Sequence, residues 1–111
     1  MELSFDRVRK LTCKMNSFGY PVLLTKCEEG GFVVTCRDLP QLVTQGEHER
    51  DALGEAVDAM DEVFVAYMIQ GLDFPLSSRA EQREHLVFPP AETKVKAALY
   101  VAKRQGVHEA E

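Results

Sequence analysis

The stretch HERDALGEAVDAMDEVFVAYMIQ, from His48 to Gln70, decides the fold. Within it Leu53, Ala56, Val57, Met60, Val63, Phe64, Tyr67 and Met68 recur at steps of three and four, the period that returns side chains to one face of a helix. Asp51, Glu55, Asp58 and Glu62 repeat at the same steps on the other side and share a solvent-facing surface. Gly71 follows as a terminator. The spacing predicts one long amphipathic helix whose buried stripe needs a second layer to cover it.

That layer is legible upstream. Tyr20 to Cys27 is rich in strand formers, and Pro21 near its start restricts it to an edge or to a strand beginning. Phe32 to Cys36 is a second strand, and Glu28-Glu29-Gly30-Gly31 between them makes a hairpin. With Gly30 in the left-handed position of a three-residue loop, Val22 and Leu24 share the core face with Phe32, Val34 and Cys36; a two-residue loop would instead send Leu23 inward. Neither register sets Cys27 opposite Cys36. Asp38-Leu39-Pro40 ends the second strand, because proline has no amide hydrogen to donate and aspartate commonly opens a turn. A short third strand over Leu42 to Gln45 precedes Gly46.

Downstream, residues 72 to 85 read as a connection, Leu86 to Phe88 as a fourth strand, and Pro89-Pro90 as its end. A second helix starts near Pro90 or Ala91 and runs to about Gln105, with Val95, Ala98, Leu99 and Ala102 as its expected buried residues. The expected fold is therefore α+β: a small antiparallel sheet, a hairpin plus two further strands, with the long helix on one face and a C-terminal helix after it. Three segments are expected: 1–18, an N-terminal arm or peripheral helix; 19–90, the sheet domain; and 91–111, the C-terminal helix and its continuation.

At 111 residues the chain holds one domain with a modest core. It has no apolar run long enough to span a bilayer and no signal-peptide pattern, so a cytoplasmic location without membrane attachment is expected. Cys13, Cys27 and Cys36 make no C-x-x-C pair and read as free thiols. His48, His85 and His108 lie at no zinc-ligand spacing, so no metal and no cofactor is expected. The net charge of −5 disfavours general nucleic-acid binding. Its distribution is uneven. Seven acids between Glu47 and Glu62 face one Arg50, whereas Lys94, Lys96, Lys103 and Arg104 face one Glu92, a pattern that suits an acidic surface presented to a basic partner.

No set of residues converges for catalysis. Gly30-Gly31 lacks the lysine and helix of a phosphate loop and reads as a turn. Asp38 is the best single carboxylate for a metal or a general base, yet its place before Leu-Pro makes it a turn residue. Ser77-Ser78 with Arg79 and His85 offer a nucleophile and a base without a third member to orient them. A binding protein, not an enzyme, is expected.

The order of short motifs carries more. Tyr20-Pro21-Val22, Glu29-Gly30-Gly31-Phe32, Asp38-Leu39-Pro40, Thr44-Gln45-Gly46-Glu47 and the Ala52/Ala56 helix together resemble the HicB-like antitoxins of bacterial toxin-antitoxin pairs. Phe74-Pro75-Leu76-Ser77-Ser78 and Lys96-Ala97-Ala98-Leu99-Tyr100 look like that family's proline-serine segment and following helix. The likeness covers roughly residues 20 to 105. Arg37 stands where the family often has proline, Gln41-Leu42 replaces a common Gly-Cys, and His48 takes the usual Ser/Thr cap position.

The resemblance implies a partial RNase H-like sheet and a HicA toxin as partner, a small basic ribonuclease whose RNA-cleaving surface the antitoxin covers. It also implies a homodimer or higher homo-oligomer. Asp38, Leu39, Pro40 and Gln41, together with open strand edges, are the expected partner contacts, because an open edge accepts another chain's backbone. Lys103 to Glu111 looks like the opening of a helix-turn-helix in a shortened or naturally short form. Without a reading helix for the major groove, this chain alone is not expected to bind an operator. The alternative is a dimeric transcription-regulator or ligand-sensing domain lacking its DNA-binding module.

Overall fold

The computed structural model describes residues 18–105. Residues 1 to 17 of the expected 1–18 arm, and residues 106 to 111 of the expected helix-turn-helix opening over Lys103 to Glu111, lie outside them. Strand β1 (Tyr20–Lys26) pairs antiparallel with β2 (Phe32–Cys36), and β2 with β3 (Val43–Gly46). Helix α1 (Glu49–Gln70) follows, then β4 (Glu84–Val87) and helix α2 (Ala91–Arg104). Because β4 returns antiparallel to the free side of β1, the sheet order is β3-β2-β1-β4. The fold is α+β, as the sequence indicates.

The hairpin takes the expected register. Val22 lies opposite Cys36 and Leu24 opposite Val34, so the even positions of both strands face α1 while Leu23 points to the other face. Gly30 and Gly31 both adopt positive φ, 105° and 85°, and the turn closes by the Gly30 amide donating to the Cys27 carbonyl and the Cys27 amide to that of Gly31. Pro21 is the second residue of a central strand, the beginning position that its missing amide allows. β3 and β4 each begin one or two residues from their expected starts. Free thiols stand at half-buried Cys27 and buried Cys36.

Helix α1 buries Ala52, Ala56, Met60, Val63 and Phe64 against Tyr20, Val22 and Val34. Leu53, Val57, Tyr67 and Met68 are half-buried at the stripe's margins. A well-buried side chain of this kind contributes about 1.5–3 kcal/mol by leaving water. The helix ends with Gly71 at φ 72°, whose amide donates to Met68 while that of Leu72 donates to Tyr67, so two terminal carbonyls are satisfied. At its start His48 provides no side-chain cap, in keeping with the missing hydroxyl.

Helix α2 corrects one expectation. Thr93 and Ala97 are its buried residues, whereas Val95 and Leu99 are 62% and 63% exposed and Ala98 and Ala102 are only half-buried. The helix docks by a mixed face. The Thr93 hydroxyl donates to Asp61, the Tyr100 hydroxyl to the Leu72 carbonyl at 2.7 Å, and Arg104 to Asp73 at 2.8 Å. Phe74 sits at the centre of the junction, stacked on Tyr67 and edge-on to Phe18 and Tyr100, with Phe64 beside it at 4.7 Å between centroids.

Candidate partner-binding surface

The Asp38–Gln41 turn follows β2 and is closed by the Leu42 amide donating to the Leu39 carbonyl at 2.9 Å. Its four residues divide by role. Leu39 is fully buried and anchors the turn in the core. Pro40 and Gln41 are exposed, and the Gln41 amide nitrogen donates to the Tyr67 hydroxyl at 3.1 Å, which ties the turn to the last turns of α1. Asp38 is half-buried: one carboxylate oxygen accepts from the Ser78 amide at 2.8 Å and the other from the Ser78 hydroxyl at 2.7 Å.

Those bonds hold the segment after α1 across the end of the sheet. The Ser77 hydroxyl donates to the Gly19 carbonyl, and the Tyr20 hydroxyl to the Pro75 carbonyl at 2.6 Å. Burial pushes the Tyr20 hydroxyl well above the usual phenol range, so it stays a donor. Ser77 and Ser78 are thus strap anchors. His85, the base drawn for them from sequence, lies 3.5 Å from Glu49 instead.

Arg37 and Glu84 form a pair that sequence reasoning missed. The guanidinium donates twice to the carboxylate, each at 2.8 Å, and once to the Arg79 carbonyl at 2.9 Å. Arg37's hydrogen bonds hold Glu84 down to about 2, helped by the Glu81 amide, and the same contact raises the Arg37 guanidinium. The only sequence signal was the arginine standing in a proline's usual place.

The acidic side of α1 lies where its spacing put it: Asp51, Glu55, Asp58 and Glu62 are all exposed. Asp61 leaves that surface to accept from Thr93, and Glu49 faces His85. A groove of about 180 Å³ runs between Gln41 and Glu62, floored by Ala66 and Tyr67 and closed by Leu72. Gln41 of the exposed turn and Glu62 of the acidic helix face therefore line one groove. Among the described residues no three His, Cys, Asp or Glu side chains group as metal ligands, and no helix is long and apolar enough to cross a membrane.

Residues 19–98 match the family model described as HicB_like antitoxin of bacterial toxin-antitoxin system. The chain belongs to this HicB-like family. Antitoxin HicB of Escherichia coli is similar at 35% identity over 80 residues, 72% of this chain and 58% of that protein. Antitoxin HicB 1 of Photorhabdus laumondii is 40% identical over 57 residues, 51% of this chain and 37% of that protein. The match thus spans a little over half the length of the Escherichia coli HicB relative. Every element of the HicB-like sheet, and α2 through Ala98, falls within the matched residues.

Proposed function

We propose that this chain is an antitoxin module that neutralises a HicA-type, mRNA-cleaving toxin by covering the toxin's RNA-binding and catalytic surface. The observation that carries the reading is the row of exposed acids on α1, of which Glu62 shares a groove with the exposed Gln41 of the turn. A basic ribonuclease binds RNA through positive charge, and an acidic surface of fixed shape competes for that charge by steering and complementarity. In this role the turn supplies shape: Asp38 and Leu39 hold it from beneath, and Pro40 and Gln41 make the contact. The module acts in the cytoplasm by binding, with no reaction of its own. Operator autoregulation requires a DNA-binding part in addition.

The test is toxin-dependent RNA cleavage, with the HicA-like protein of the neighbouring reading frame titrated with this 111-residue chain. Inhibition complete near equal stoichiometry is expected. Cleavage that continues at excess antitoxin would leave the second reading, a dimerising regulatory domain, which the exposed apolar residues of α2 favour.

A further inference from the structure

The strap and α2 leave an open pocket of about 410 Å³ between them, walled by Phe18, Phe74, Leu76, Tyr100, Val101 and Arg104. Most of these walls are aromatic or aliphatic, and Leu76 at the rim is 77% exposed while Val101 is half-buried. Such side chains gain by leaving water. Phe18 is the first of the described residues, so residues 1–17 join the fold at the pocket wall itself. Their sequence carries a helical pattern. Phe5, Val8, Leu11 and Met15 recur at steps of three and four, while Glu2, Asp6, Arg7, Arg9, Lys10 and Lys14 fall on the opposite side. Among the large apolar side chains only Leu3 lies off that stripe, and the segment contains neither proline nor glycine to break it. A helix of about 15 residues is marginal in water by itself and is held by packing its apolar stripe.

We propose that residues 1–15 form an amphipathic helix that docks on this pocket of its own chain, with Leu11 and Met15 entering it over Leu76 and Val101 and with Val8 closing its outer edge. Asn16 and Ser17 link the helix to Phe18. The connection selects the occupant. Met15 stands three residues before Phe18, a stretch that spans at most about 11 Å, so the stripe is delivered to the pocket it fits. An occupant tethered by so short a linker acts at an effective concentration of about millimolar, an advantage that a free apolar ligand or a separate chain lacks. The charged side of the helix stays in water, and the open rim at Leu76 becomes covered. This docking is separate from toxin binding and holds whether or not the turn and the acids of α1 contact a toxin.

Nuclear Overhauser spectroscopy of the 111-residue chain, with isotope filtering of mixed labelled and unlabelled protein, tests this. Contacts within one chain are expected between the methyl groups of Leu11 and Met15 and the rings of Phe74 and Tyr100. Leu11→Glu should abolish them and lower the melting temperature by about 4 °C or more, since a carboxylate would enter an apolar contact. Leu76→Glu should act in the same direction, and the two together should cost little more than either alone, because both remove one contact. Lys10→Glu, on the charged side, should leave the contacts and the melting temperature unchanged. Contacts that cross between chains, contacts absent from Leu11 and Met15, a melting temperature indifferent to Leu11→Glu, or fully additive losses would each overturn the proposal. The first of these would assign the pocket to a second copy and the second would leave it to a free ligand.

Discussion

Asp38 and Ser78, forty residues apart, are joined twice: both carboxylate oxygens are used, one by the Ser78 amide and one by its hydroxyl. The turn that carries the candidate contact and the strap that crosses the sheet end are therefore one mechanical unit. Hydrogen bonds to a charged acceptor contribute about 1.5–3 kcal/mol, so Asp38→Ala should cost at least that much in urea denaturation, while Ser78→Ala, which keeps the amide bond, should cost about half. Equal losses from the two would mean that the hydroxyl alone holds the strap.

Leu39 and Gln41 should separate support from contact. Leu39→Ala empties a fully buried site and should lower stability by about 2–5 kcal/mol. Gln41→Ala lies on the surface and should stay within about 0.5 kcal/mol of the parent. If the turn touches the toxin, calorimetric titration should show weakened binding for Gln41→Ala in spite of its intact fold; unchanged affinity removes the turn from the interface.

Two glycines should respond in opposite directions to the same methyl group. A Cβ at Gly46 would lie 2.4 Å from the Ala52 nitrogen and 2.6 Å from its Cα, both backbone atoms, so Gly46→Ala must push β3 from α1 and should cost about 1–3 kcal/mol or more. At Gly54, inside α1, a Cβ meets nothing within 4 Å, and Gly54→Ala should gain about 0.8–1 kcal/mol from helix propensity. Thermal melts of the two variants should move to either side of the parent.

The Arg37–Glu84 pair predicts an acid-side loss of stability. Arg37 holds Glu84 at about 2 in the folded chain against 4.5 for an ordinary glutamate, so the unfolded chain binds more protons between those values. The contribution is complete above about pH 4.5 and is lost as pH falls toward 2. Melting Glu84→Gln beside the parent should show a gap at neutral pH that closes across that window. Added salt should narrow it, because Arg37 is partly exposed. A gap independent of pH would assign the effect to packing.

Much of this was legible in the chain because the signals are local. The α1 stripe, the Gly30-Gly31 turn and the Asp38-Leu39-Pro40 stop each act over a few residues, and together they set the order of elements and the inward face of the hairpin. The turn's position after β2 was legible, but its division into buried Leu39 and exposed Gln41 was not, since alternation in a short turn does not say which side the core will lie on. Arg37–Glu84 and Asp38–Ser78 join residues 47 and 40 positions apart, and no spacing rule connects them.

By itself, then, the sequence determined an α+β chain with one long amphipathic helix over a hairpin-based sheet, because hydrophobic period and turn chemistry are properties of neighbouring residues. Only the tertiary structure decided how α2 sits. Its Val95-Leu99 stripe is the more apolar side, and periodicity alone would bury it. The surface that receives the helix presents the Asp61 and Asp73 carboxylates and the Leu72 carbonyl, which Thr93, Arg104 and Tyr100 satisfy from the other side. Thr93 is buried at the junction and needs a partner, and the orientation that gives it Asp61 turns the Val95-Leu99 stripe outward.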